Sequence, residues 1–209
     1  MTETILAIEP NLRLAVFLGV LAAMALWEIA APRRRRDIPR VIRWTNNLAV
    51  VVVDTAILRL TFPILAVGLA VMAEERGWGV FNTFDAPVWV SIVLSMLLLD
   101  LAIYLQHVMF HAVPGLWRFH RMHHADLDFD VTTGLRFHPV EILISMGIKL
   151  AAVAALGPPA VAVLLFEVLL NATALFNHAN INLPRPIDRV LRLIVVTPDM
   201  HRVHHSVDP

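Results

Sequence analysis

Long apolar runs separated by short polar segments dominate the pattern of this chain. The first run, residues 12–31, has the twenty residues that suit one crossing of a bilayer. Two further runs extend over residues 47–73 and 88–106. The last run, residues 140–176, is too long for one crossing and is broken at Gly157, which predicts a hairpin of two helices. The pattern predicts an all-α, polytopic membrane bundle of three spans plus a helical hairpin.

The composition supports a membrane protein and excludes several other classes. The 209 residues are 58% hydrophobic and 16% charged, against roughly 25% charged in an average soluble domain. Basic and acidic residues balance at 17 each, so nothing indicates a nucleic-acid-binding surface. The absence of cysteine excludes disulfides, thiolate zinc sites, iron–sulfur clusters and a cysteine nucleophile.

The charges between the apolar runs predict the orientation of the bundle. Six arginines directly follow the first run, at Arg33, Arg34, Arg35, Arg36, Arg40 and Arg43. Residues 74–87, between the second and third runs, contain three acidic residues and one arginine. Because basic loops stay on the cytoplasmic side, the arginine loop is predicted to be cytoplasmic and residues 74–87 external. Both ends of the hairpin then face the cytoplasm.

Ten histidines occupy the second half of the chain and form a repeated pattern. The motif His-Arg-apolar-His-His occurs twice, and a further pair is spaced by four. Residues at i, i+3 and i+4 share one face of a helix, so each triplet is expected to present three imidazoles to one point. The nine histidines of these groups and the end of the hairpin are His107, His111, His120, His123, His124, His178, His201, His204 and His205.

Imidazole is a good ligand for iron, zinc, copper and nickel. Nine or ten such nitrogens exceed the needs of one ion and suffice for two, with positions left for oxygen, water or substrate. The histidines therefore predict a dinuclear metal site. His138 is either a tenth ligand or, because it precedes Pro139, the N-cap residue of the first arm of the hairpin.

The motifs together resemble the fatty acid hydroxylase superfamily, specifically its bacterial sterol desaturase-like branch. The resemblance runs in order from Asp100 to Ser206, about half the chain. It rests on Asp100-x-x-x-Tyr104-x-x-His107-x-x-x-His111, Leu116-Trp117-x-x-His120-x-x-His123-His124, Arg136-x-His138-Pro139-x-Glu141, His178-Ala179-Asn180 and Thr197-Pro198-x-x-His201-Arg202-Val203-His204-His205-Ser206.

This resemblance implies an enzyme of the bacterial inner membrane with a histidine-rich cap and active site on the cytoplasmic side. It implies two iron ions, molecular oxygen as co-substrate, and hydroxylation or desaturation of a sterol, fatty acyl chain or related lipid. Residues 1–99 would form N-terminal transmembrane helices. Residues 100–209 would form the histidine-box domain, including the hairpin at 140–177.

Three polar residues are expected to support the metal ligands. Asp100 lies seven residues before His107 on the same helical face, where its carboxylate is expected either to hydrogen-bond a ligating imidazole or to pair with a neighbouring helix. Glu141, one turn after His138, is expected to act in the same way. Asn180 is expected to orient a bound water or ligand.

The chain has no motif for a redox cofactor, so a ferredoxin or cytochrome is expected to donate electrons, with the cytoplasmic arginines as its docking surface. A zinc pair would satisfy the same nitrogens. A non-catalytic metal-binding protein or a truncated homologue is a further alternative. Family members often have arginine where this chain has Val108, and they usually continue beyond the position of Pro209. A metal-ion transporter is disfavoured because transport sites lie near the bilayer midplane.

Overall fold

The computed structural model describes residues 2–126 and 128–206, and the side chains from residue 6 onward. These ranges contain α-helices and two 3₁₀ turns, and no strand within them is longer than an isolated bridge. The helices are α1 (Thr2–Ala30), α2 (Arg40–Thr61), α3 (Ala66–Arg76), α4 (Val88–Ala112), α5 (Pro114–His124), α6 (Pro139–Leu156), α7 (Ala160–Asn177), α8 (Arg185–Leu191) and α9 (Pro198–His204). The 3₁₀ turns are Val80–Asn82 and Val131–Leu135.

Five helical segments of the described chain are long and apolar enough to cross a membrane: Leu6–Ala30, Arg40–Asn82, Val88–Ala112, Pro139–Leu156 and Ala160–Asn177. They correspond to the three predicted spans and the two arms of the predicted hairpin. The all-α membrane bundle is thereby confirmed. Each arm of the hairpin has 18 residues, or about 27 Å at 1.5 Å per residue, which is close to the thickness of the hydrocarbon core.

The second apolar run, which was predicted as a single span, is broken into two helices. Its helix already begins at Arg40, ends at Thr61 and restarts at Ala66. Pro63 lies in the break, where it lacks the backbone N–H that would continue the helix. The shorter helix α3 packs against both arms of the hairpin, so the break allows this run to cover the hairpin.

The end of the bundle that carries residues 77–87 is closed by a tight contact with the hairpin tip. Gly157 ends α6 in the left-handed conformation, with φ 60°. A Cβ on Gly79 would lie 2.2 Å from the Gly157 nitrogen, and a Cβ on Gly157 would lie 2.1 Å from the Trp78 oxygen. Asn82 Nδ2 also donates to the Gly157 carbonyl at 3.2 Å. The loop and the hairpin tip therefore lie at the same end, as the predicted topology requires.

Three charged residues inside the apolar helices are paired across the bundle. Glu167 of α7 forms ion pairs with Arg13 of α1 at 2.9 Å and with Lys149 of α6 at 2.8 Å. A charge within a membrane is costly unless it is paired. This cluster therefore joins three helices and explains the charges that interrupt their apolar sequences.

The opposite end, called the polar end below, joins the arginine-rich loop to the ends of the hairpin. Glu28 of α1 is fully buried, and its Oε1 accepts the backbone N–H groups of Val131 and Asn180 at 2.7 Å each. Its Oε2 pairs with Arg36 at 3.1 Å. One carboxylate thus connects the N-terminal part of the chain to the segments on either side of the hairpin.

A second buried network fixes the segment between α5 and α6. Arg43 of α2 pairs with Asp126 at 2.6 Å and with Asp130 at 2.5 Å. Asp130 also caps the 3₁₀ turn Val131–Leu135 by a capping box with Thr133. Removing one partner of a buried ion pair leaves an unpaired buried charge and strongly destabilises the fold. This network therefore ties the segment firmly to α2. The segment forms the wall behind part of the histidine site.

Candidate metal centre

Nine histidines converge at the polar end, from the last turns of α4, from α5, from the residue after α7, and from α9 and its C-cap. Their ring nitrogens form two groups of four in which all ligand atoms lie within 4.8 Å of one another. The first cluster is His107, His111, His120 and His204. The second cluster is His123, His178, His201 and His205. His124 lies between them, in a third group with His204 and His205.

The spacing alone suggested that each H-x-x-H-H triplet points to one place. In the structure, each triplet is divided between the two clusters. The first triplet contributes His120 to the first cluster and His123 to the second. The second triplet contributes His204 to the first cluster, and His201 to the second. Residues at i+3 and i+4 lie on opposite sides of residue i, about 100° apart around the helix axis. Each triplet is therefore wide enough to supply both clusters.

Three histidines have a proton position fixed by their partners. His178 Nδ1 lies 2.7 Å from the Ala174 carbonyl, and His123 Nδ1 lies 3.2 Å from the Arg136 carbonyl. A carbonyl only accepts hydrogen bonds, so both Nδ1 atoms donate. His120 Nδ1 donates in the same way to Glu141 Oε1 at 2.7 Å. In each neutral ring the Nε2 atom therefore carries a lone pair.

These lone pairs face one another in the second cluster. His178 Nε2 lies 3.0 Å from His123 Nε2, although neither atom carries a proton in the neutral rings. His178 Nε2 also lies 2.9 Å from His201 Nε2. Two unprotonated nitrogens cannot hydrogen-bond, and their contact is repulsive unless a cation lies between them. The donor set therefore fits a metal ion.

Unpartnered buried nitrogens in and between the clusters lead to the same conclusion. A buried polar atom without a hydrogen bond costs about 1–3 kcal/mol, and native structures contain few of them. Within the described residues, such ring nitrogens are His111 Nε2, His120 Nε2, His124 Nε2, and both ring nitrogens of His205. Coordination would satisfy one nitrogen on each of these rings.

Burial keeps five of the nine imidazoles neutral. It lowers the pKa of His178 to about 4 and the pKa of His124 to about 2, with neighbouring histidines adding to the effect. The pKa values of His123, His201 and His205 are lowered by the same two causes. Neutral imidazole is the form that binds metals, so the site is ready to bind them at neutral pH.

His138 lies outside both clusters. It is the N-cap residue of α6, and its Nδ1 accepts the backbone N–H of Val140 at 3.1 Å. Its ring contacts Phe119, with centroids 5.0 Å apart. Of the two roles that the sequence left open, the structure places His138 in the capping one.

The three supporting residues predicted from the sequence lie in different surroundings. Glu141 is buried and hydrogen-bonds His120. Asp100 is exposed on α4, and within residues 2–126 and 128–206 it has no hydrogen bond or ion pair to His107 or to any other group. The side-chain amide of Asn180 is bonded to the backbone of Arg34, from which it accepts at 3.0 Å and to which it donates at 2.9 Å. Asn180 thus holds the arginine loop.

The sequence reasoning missed the groups that support the second cluster. The carbonyls of Arg136 and Ala174 belong to the backbone, so no residue type in the sequence indicates their role. Phe137 stacks on His123, with centroids 4.4 Å apart and the rings inclined by 10°. One signal was present, because acidic residues alternate directly after the first triplet at Asp126, Asp128 and Asp130. Two of them, Asp126 and Asp130, form the Arg43 network.

A cavity of about 760 Å³ reaches the histidines at the polar end. His124 and His205 form part of its wall. The arginine loop and α9 contribute most of the remaining wall. The clusters are therefore approached through a strongly basic cavity.

The fold and the site define a helical membrane protein with a histidine-rich candidate metal centre. The model of the fatty acid hydroxylase family matches residues 92–209, more than half of the chain. The chain belongs to the fatty acid hydroxylase family.

Two curated proteins show what this chain is similar to. It is 26% identical over 198 residues to the ornithine lipid hydroxylase OlsE of Rhizobium tropici, a match that covers 91% of this chain and 58% of that protein. It is 30% identical over 134 residues to the human alkylglycerol monooxygenase, covering 62% of this chain and 28% of that protein. The chain thus spans between about a quarter and three fifths of the length of these relatives. No solved structure matches it.

Proposed function

We propose that this protein hydroxylates a membrane lipid with O₂ at two histidine-bound iron ions. The observation that carries the proposal is the contact of unprotonated Nε2 atoms at 3.0 Å between His123 and His178. The names of the two relatives supply the reaction type and the substrate class, since both name an oxygen-inserting enzyme and a lipid. Desaturation of the lipid would use the same site but would give a product with a new double bond.

The histidine donor set suits iron or zinc alike. Iron is proposed because both relatives are named for oxygen insertion, which requires a redox-active metal, whereas Zn²⁺ has no redox chemistry.

The protein residues divide the work of the site. Iron, when bound, would supply the oxidation of an unactivated C–H bond by O₂. Glu141 would hold the His120 ring in one orientation and raise the basicity of its Nε2. The Arg136 and Ala174 carbonyls would orient two ligands of the second cluster. The apolar helices below the clusters would receive the lipid chain.

Electrons would come from an external donor of ferredoxin or cytochrome type. The full chain has no cysteine for an iron–sulfur cluster and no dinucleotide-binding motif of its own. Exposed arginines at the polar end would attract an acidic donor, because complementary charge steers association.

The polar end would face the cytoplasm of a bacterial inner membrane. This orientation rests on the concentration of arginine at the polar end. The chain lacks cysteine, so single-cysteine variants give an unambiguous test. An impermeant thiol reagent applied from outside should label Asp85→Cys and spare Arg189→Cys, both exposed positions. The opposite labelling would reverse the orientation.

The function is tested by reconstituting the protein with iron without oxygen and then supplying ¹⁸O₂, a reductant and membrane lipid. We expect about two iron ions per chain, O₂ uptake that depends on the lipid, and a labelled hydroxyl group in the product. An unlabelled product with a new double bond would indicate desaturation. Bound metal without O₂ uptake would favour the non-catalytic alternative, and tightly bound zinc that iron does not replace would contradict the iron assignment.

A further inference from the structure

The basic cavity at the polar end contains more positive charge than its acidic residues neutralise. Its volume of about 760 Å³ lies within the usual range for small-molecule sites. Three acidic residues line it, at Asp126, Asp128 and Asp199. Six arginines line it, at Arg33, Arg34, Arg35, Arg36, Arg192 and Arg202. Two of the six arginines pair with carboxylates outside the wall, Arg36 with Glu28 and Asp130, and Arg192 with Asp188. The other four still outnumber the three wall carboxylates, so the cavity suits an anion.

Most of this acidic charge is already committed elsewhere. Asp126 pairs with an arginine outside the cavity wall, and the carboxylate of Asp128 accepts two backbone N–H groups. Asp199 alone pairs with arginines of the wall, at 3.1 Å from Arg33 and 2.5 Å from Arg202. One carboxylate is therefore shared by two guanidinium groups.

Arg202 is the buried arginine of this wall. Only 9% of its side chain is exposed, and its guanidinium lies 5.4 Å from the centre of the Phe129 ring. Its NH1 group bonds Asp199, whereas Nε and NH2 are buried without a partner among the described residues. Because these two nitrogens are buried, Arg202 contributes to the cavity wall a guanidinium charge that Asp199 pairs only in part.

Arg34 and Arg35 supply the unpaired charge of the same wall. Both are exposed, and neither side chain has an ion pair within residues 2–126 and 128–206. The backbone of Arg34 is nevertheless fixed by Asn180, at 3.0 and 2.9 Å. The loop therefore carries two guanidinium groups without an ion pair in the same cavity wall as Arg202.

We infer that this cavity binds a phosphate or carboxylate group, and that this group belongs to the head of the lipid that is oxidised. The second half of the inference rests on the proposed function. The first half does not, because the anion site is formed by arginines and not by the metal ligands. His124 and His205 share the cavity wall, so a lipid held by its head would lie directly beside the metal centre. The substrate class is therefore an anionic lipid.

The test measures binding to the metal-free full chain in an uncharged detergent by calorimetry. The probes are dihexanoyl phosphatidate, inorganic phosphate alone and the neutral dioctanoylglycerol. The test variant R34Q/R35Q removes two guanidinium groups of the wall. The matched control R185Q/R189Q removes two exposed arginines at the same end that lie outside the cavity wall.

We expect phosphatidate to bind more tightly than dioctanoylglycerol, and R34Q/R35Q to weaken it about tenfold or more, as the loss of charge-assisted hydrogen bonds predicts. The control should change it less than about twofold. If inorganic phosphate binds as tightly as phosphatidate, the site takes the free anion, and the lipid assignment is wrong. Equal weakening by both double variants, or no preference for the anionic lipid, would overturn the anion site. Because no metal is present, these outcomes are independent of whether the lipid is hydroxylated.

Discussion

The two histidine clusters share ligands from α5 and α9 but differ in their third element and in how they are enclosed, because α4 completes the first and the end of α7 completes the second. In the second cluster His123 and His178 are both buried, and each donates to a backbone carbonyl. In the first cluster His204 is exposed, and His120 donates to the Glu141 carboxylate. The second cluster is thus held by rigid backbone at the end of the hairpin. The first depends on one ionisable side chain.

This difference predicts different responses to substitution. Backbone carbonyls cannot be removed by a side-chain change, so the second cluster should respond mainly to loss of a ligand or to steric pressure on its wall. A carboxylate partner raises the basicity of an imidazole, so the first cluster should respond to a change of charge. The two clusters also share the sequence triplets, and therefore single substitutions on one triplet test each cluster separately.

The largest effect is expected from removing one ligand from each cluster. His123→Ala should abolish metal binding at the second cluster, and His204→Ala should abolish it at the first, because each leaves an incomplete set of nitrogens. Bound metal per folded protein, measured by mass spectrometry of the metal, should fall from about two ions to one or none. His138→Ala is the matched control, since His138 lies in neither cluster. Two ions retained in either ligand variant would contradict the dinuclear assignment.

A smaller effect is expected from Glu141→Gln. The amide still accepts a hydrogen bond from His120 but lacks the negative charge, so metal affinity at the first cluster should fall roughly 10–100-fold. The second cluster should keep its affinity. Competition with a chelator, followed by separate loss of the two ions, measures both affinities.

Asp100→Asn is the control for this change of charge. Asp100 is exposed and is not bonded to a ligand within the described residues, so its substitution should leave both affinities unchanged. A loss equal to that of Glu141→Gln would instead support the role that the sequence suggested for Asp100.

The example of Asp100 shows where sequence reasoning stops. The seven-residue offset places Asp100 and His107 on the same side of α4. However, whether other helices cover that side of α4 at Asp100 depends on the tertiary packing. In the structure, Asp100 is exposed. The histidine set was visible because i, i+3 and i+4 spacing is local. The division of each triplet between two clusters depends on how α5 and α9 meet, which no local pattern records.

Long-range polar contacts form the other part that the sequence does not reveal. Glu28 bonds Asn180 across 152 positions, and Arg43 bonds Asp126 across 83 positions. Neither pair has a spacing that would identify it. In contrast, the hairpin turn at Gly157 follows from the chemistry of a single residue. The fold class and the set of clustered histidines were therefore predictable, and the groups that orient those histidines were not.

The smallest expected effect comes from a single methyl group placed behind the second cluster. A Cβ on Gly134 would lie 2.9 Å from both His178 Nδ1 and the Ala174 oxygen, the two atoms whose hydrogen bond orients His178. Gly134→Ala should therefore displace the ring and lower the free energy of unfolding by about 1–3 kcal/mol, the usual cost of overpacking.

Gly147→Ala is the matched control, because a Cβ there meets nothing within 4 Å, and in a helix it should stabilise by up to about 1 kcal/mol. Thermal unfolding in detergent measures both variants, and metal titration shows which cluster is affected. If the hairpin end holds the second cluster, Gly134→Ala weakens metal binding there and leaves the first cluster unchanged. Equal weakening at both clusters would mean that they are not held independently.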